Sequence, residues 1–122
     1  MITLRVWRDA GANVVRYRLN GHSPSGEAGN NVVCAAVSAL AIATANGLEA
    51  VVGATVTAKS GPGCLDCEVV WPTRADAGAD ASSEGIRLRA QAVLDTMLLG
   101  MQSISQEHPH DLKVIDEWNA GK

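Results

Sequence analysis

The sequence predicts an α+β fold, with one mostly antiparallel sheet of about five strands and two helices in the order ββαββαβ. Short runs of alternating apolar and polar residues recur at the start, in the middle and near the end of the chain. Two longer stretches without breakers read as helices, and clusters of Gly, Pro, Asn and Ser separate these segments.

From Met1 to Arg8, Ile2, Leu4 and Val6 alternate with Thr3, Arg5 and Trp7, as in a strand with one buried face. Asp9 to Asn13 forms a turn, and Val15, Tyr17 and Leu19 then alternate with Arg16 and Arg18. The two runs make an antiparallel hairpin that ends at Gly21-His22. A helix is expected from about Asn31 to Ala45, apolar on nearly every side and therefore buried over most of its surface, with Gly47 ending it. Strands Val51 to Lys59 and Cys64 to Trp71 follow, joined by the turn Ser60-Gly61-Pro62-Gly63. The segment 72–84, which opens PTRADAGADASS, has no periodicity and is expected to be a flexible loop. Ser82 or Ser83 would cap a second helix from about Glu84 to Glu107, with Ile86, Ala90, Val93, Met97, Met101 and Ile104 as its core stripe. Leu112, Val114 and Trp118 suit a short last strand, and 119–122 is a polar tail.

Length and composition narrow the function classes. A chain of 122 residues holds one domain and one core, here spanning 1–122. Phe is absent, so that core is built from Val, Leu, Ile and Ala. A net charge of −3 argues against direct nucleic-acid binding and is compatible with a basic polypeptide partner. Three cysteines without disulfide-scaffold spacing, and no leader-like apolar start, predict a cytoplasmic protein. The longest apolar run, Val32 to Ala45, is shorter than the roughly 20 residues that span a bilayer, so no membrane segment is expected.

The chemistry concentrates in Gly21 to Leu40, GHSPSGEAGNNVVCAAVSAL. Gly21, Gly26 and Gly29, with Pro24 and two serines, keep the backbone after His22 out of regular structure, which suits a loop that opens and closes around a substrate. Cys34 falls in the first turn of the following helix, where unpaired N–H groups and the positive end of the helix dipole favour a thiolate. Asn31, Cys34 and Ser38 share one helical face. Each residue also has an ordinary reading: Cys34 as a small core residue, His22 as a surface histidine, Asn31 as a cap, Ser38 bonded to its own helix. Cys64 and Cys67 form a C-x-x-C, but in a strand they point to opposite faces and do not chelate together. His108 and His110 lack the usual ligand spacing, so neither a metal nor a cofactor is expected.

Gly21-His22, the glycine-containing loop and Gly29-Asn30-Asn31-Val32-Val33-Cys34-Ala35-Ala36-Val37-Ser38 resemble the signature of the ribosomal-processing cysteine proteases, the Prp family, written GHA, loop, G-x-D-I-V-C-A-A-V-S. The order of elements over about 110 residues is similar as well. The resemblance implies a bacterial, homodimeric cysteine endopeptidase that removes a short N-terminal extension from the large-subunit ribosomal protein numbered twenty-seven. Cys34 would be the nucleophile and His22 the general base, supported by Asn31 and Ser38. Two departures stand out: Asn31 replaces the family's aspartate, which removes a charge that would stabilise an imidazolium, and Ser23 replaces its alanine. A non-catalytic dimeric adaptor for a ribosomal protein is the alternative.

Overall fold

The computed structural model describes residues 1–21, 32–70 and 81–116. His22, Gly26, Gly29, Asn31, Trp118, the first part of the 72–84 loop and the 119–122 tail lie outside them. Strands β1 (Ile2–Arg8) and β2 (Val14–Gly21) form the N-terminal hairpin, followed by helix α1 (Val32–Gly47) and strands β3 (Thr55–Gly61) and β4 (Cys64–Val70). Helix α2 (Ala81–Glu107) and strand β5 (Leu112–Asp116) complete the expected order. The sheet runs β3-β4-β2-β1-β5, antiparallel except for the parallel pair β1 and β5.

Alternation decides which face of the sheet meets the helices. Ile2, Leu4, Val6, Tyr17, Leu19, Leu65, Cys67 and Val69 turn inward and are buried, and each large apolar side chain so buried contributes about 1.5–3 kcal/mol. One detail of the hairpin departs from strict alternation. A register shift between Trp7 and Arg8 puts Val14, rather than Val15, in the core. The turn is held by Asp9, whose carboxylate accepts from the backbone N–H of Gly11 at 2.9 Å and of Asn13 at 3.0 Å.

The outer face of the sheet is polar and ordered by charge. Arg16 on β2 forms a two-pronged pair with Asp66 on β4, one arm at 2.9 Å, and stacks 4.6 Å from the Trp7 ring. The guanidinium holds the Asp66 carboxyl below its ordinary range. At the other end Arg8 reaches Asp116 at 3.0 Å and fastens β1 to β5.

The helices depart from expectation in three places. Gly47 does not end the first helix, because its backbone is itself helical (φ −66°, ψ −38°) and the chain continues as a π-helical turn, Leu48–Val52. Leu48 and Val52 are buried anchors for that turn, which stops at Gly53 with φ +82°. Val51 and Val52 are therefore helical, and β3 starts at Thr55. The second helix starts at Ala81, so Ser82 and Ser83 lie inside it rather than capping it from outside. Its stripe holds: Ala90, Met97 and Met101 are buried, Ile86, Val93 and Ile104 pack against the core, and Leu94 and Leu98 join them. Gly100 lets Leu40 of α1 approach closely, since a Cβ there would come within 3.2 Å of the Leu40 side chain.

The expectation that α1 is buried over most of its surface is overturned. It buries one stripe, Val33, Val37, Ala41, Thr44 and Ala45, while Val32, Ala35, Ala39, Ile42 and Ala43 are exposed. With its π-helical turn, the run Val32–Val52 is 21 residues and passes for a membrane span by length and composition. Its buried stripe is nonetheless part of the same core as the sheet.

Candidate active site

Gly21 closes β2 with φ +104°, and a side chain there would collide with the main-chain carbonyl of Met1. Its N–H donates to the carbonyl of Gly63 at 2.9 Å, tying the end of β2 to the turn before β4. Three strand ends and a turn thus converge where α1 begins. Among them lies a cavity of about 150 Å³ floored by Ile2, Leu19 and Leu65. Val37 and Ile42 form its helical wall, and Cys34 and Ser38 open onto it from the same helix face.

Of the residues singled out in the sequence, Gly21, Cys34 and Ser38 come together at this cavity. His22, Asn31, Gly26 and Gly29 belong to the segment outside the described residues. Cys34 is the third residue of α1 and half-buried, so it sits among the first-turn N–H groups that have no partner within the helix. A thiol in that position can attack an electrophilic carbon, and the adjacent amide hydrogens can receive developing negative charge.

Sequence reading missed the wall opposite the helix. Ser60, Gly61 and Gly63, at the junction of β3 and β4, line the cavity together with Cys64. The signal was the Ser-Gly-Pro-Gly turn, which announces a hairpin but not what the hairpin folds against.

The remaining cysteines behave as strand alternation requires. Cys67 faces the core and is fully buried, and burial pushes its thiol above the ordinary range. Cys64, three residues earlier, belongs to the opposite face. Tyr17 lies beside Cys67 and donates its hydroxyl to the Ala41 carbonyl at 2.8 Å, linking β2 to α1. Burial shifts that phenol far upward, so it stays neutral. Among the described residues no group of three or more His, Cys, Asp or Glu side chains is placed to hold a metal ion.

Comparison with known proteins covers nearly the whole chain. The profile of the family described as "Cysteine protease Prp" matches residues 1–113. The ribosomal processing protease Prp from S. aureus, in complex with a covalently linked product peptide, superposes with a TM-score of 0.76 at 22% identity, covering 95% of this chain and 99% of that one. The same enzyme with a substrate peptide gives 0.74 at 21% identity, with the same coverage. The protein SMU.848 from Streptococcus mutans gives 0.73 at 25% identity, covering 95% and 93%. No curated protein matched the chain in sequence.

Proposed function

The chain belongs to the Prp cysteine protease family, and from that premise we propose that it is a ribosomal-processing endopeptidase of the bacterial cytoplasm. Its substrate in this reading is the N-terminal extension of the large-subunit ribosomal protein numbered twenty-seven. The observation that carries the site assignment is the shared cavity: Cys34 lines it from α1, and Gly21, the residue bonded to His22, lines it from β2.

In the reaction His22 takes the Cys34 proton, and the thiolate attacks the scissile carbonyl carbon. First-turn N–H groups of α1 receive the negative charge that collects on the carbonyl oxygen. The imidazolium of His22 then protonates the leaving amine, and a thioester remains on Cys34. Water, deprotonated by His22, hydrolyses the thioester and returns the thiol. Asn31 would orient His22 by accepting an imidazole N–H, without the charge an aspartate would bring. Ser38, one turn beyond Cys34, is suited to fix the sulfur's orientation. In this reading the stretch that holds Gly21, Gly26 and Gly29 is where an extended peptide would meet the enzyme.

The active form in this reading is a homodimer. The exposed side of α1, with Val32, Ala35, Ala39 and Ile42, is apolar and nearly uncharged, and a second copy would cover it. The test is mass spectrometry of a peptide spanning the extension, incubated with the parent protein or with Cys34→Ala. Cleavage at one bond by the parent, falling about a thousandfold or more in the variant with its thermal unfolding unchanged, is expected. A Cys34→Ala protein that cleaves as fast as the parent puts the nucleophile elsewhere.

A further inference from the structure

The two edges of the sheet are unlike each other. β5 is five residues long, carries Lys113 and Asp116, and is fastened by the Arg8 to Asp116 pair. Short, charged edges of this kind resist pairing with another strand. β3 is less protected: it spans seven residues, holds a single charge, Lys59, contains no proline, and begins with the β-branched run Thr55-Val56-Thr57. Six of its seven residues are exposed, and among the described residues only β4 pairs with it. A strand so composed presents alternating N–H and C=O groups to any extended chain that lies alongside.

The position of this edge gives it a use. β3 ends at Ser60 and Gly61, and both line the cavity onto which Cys34 opens. A chain paired with β3 would leave the strand at the nucleophile. We infer that the outer edge of β3 is the docking rail of the substrate, which adds as a sixth strand and passes its scissile bond to Cys34 at the Ser60-Gly61 end. The occupant is an extended, uncharged or weakly apolar peptide segment. A free extended segment brings unpaired backbone along its whole length, and a strongly basic one would meet Lys59. At about 3.3 Å per residue the seven positions of β3 give a rail of roughly 23 Å, long enough to engage a short N-terminal extension by its backbone. Side chains at alternate positions would then decide among sequences, and only the residues that pass Ser60 and Gly61 would enter the cavity.

This inference rests on the endopeptidase reading above, and its test separates the two. Hydrogen exchange is followed in Cys34→Ala protein with and without the extension peptide, while cleavage of the same peptide is measured with the parent. Amides at every second position between Thr55 and Ser60 are expected to slow by about tenfold or more on peptide addition. Cleavage by the parent with no slowing in β3 overturns the rail and leaves the activity standing. Slowing in β3 without cleavage by the parent keeps the rail and removes this substrate. Neither slowing nor cleavage overturns both.

Discussion

Cys34 and Cys67 are the same residue in two settings, and the contrast separates chemistry from packing. Cys67 lies on a central strand against Tyr17, fully buried, with its thiol pushed up by desolvation. Cys34 stands in the first turn of α1, half-buried, at the wall of a cavity that strand ends and a glycine turn leave open. Cys34 is flanked in sequence by Val33 and Ala35 and Cys67 by Asp66 and Glu68, so immediate hydrophobic context alone would name the wrong one as the core thiol. What differs is the backbone around them: the middle of a paired strand at Cys67, the first turn of a helix at Cys34.

The sharpest way to break this contrast is to measure it. In the folded protein a small alkylating reagent is expected to modify Cys34 about a hundredfold or more faster than Cys67, the two rates converging only in denaturant. Comparable rates in the native state would make Cys34 another core thiol. A second probe perturbs the Cys34 side alone. Gly21→Ala should lower stability by about 2–4 kcal/mol, because it strains a left-handed backbone and drives a methyl group into the Met1 carbonyl, and cleavage should fall with it. A variant with parent-like unfolding and parent-like cleavage would show that the end of β2 tolerates a side chain and does not set the site. The smallest effect belongs to the Cys67 side. Cys67→Ser replaces a buried thiol by a hydroxyl that demands a stronger partner, and an expected loss of about 1–3 kcal/mol in denaturant unfolding should come with a cleavage rate within about twofold of the parent. A large drop in rate at unchanged stability would assign Cys67 a part in the reaction.

Much of this architecture was legible in residue order. The hairpin, both strands of the β3 and β4 pair, the α2 stripe and the face shared by Cys34 and Ser38 follow from periodicities of two and 3.6. The misreadings have physical causes. Val51-Val52 looks like strand because both residues are β-branched, yet Leu48 and Val52 are four apart, and burying that pair carries the helix past Gly47. Apolar composition suggested that α1 was enclosed, but composition reports what a surface prefers and not which chain covers it. The cavity wall at Ser60, Gly61 and Gly63 was invisible because it depends on a long-range contact, the Gly21 to Gly63 hydrogen bond, that no local pattern encodes.

The parallel pairing of β1 with β5 sets an order of events during synthesis. Ile2 aligns with Leu112 and Val6 with Asp116, so β1 takes as its neighbour a strand synthesised after every other strand of this sheet. The tie from Arg8 to Asp116 spans 108 positions of chain. At roughly 5–20 residues per second, β1 waits about 5–20 s with one edge unpaired. During that wait the hairpin and α1 can form, but the sheet stays open on the β1 side. Nascent chains of this protein are therefore expected to be most vulnerable to strand-pairing errors at β1, and arrival of β5, rather than formation of the site, is the step that covers that edge of the sheet.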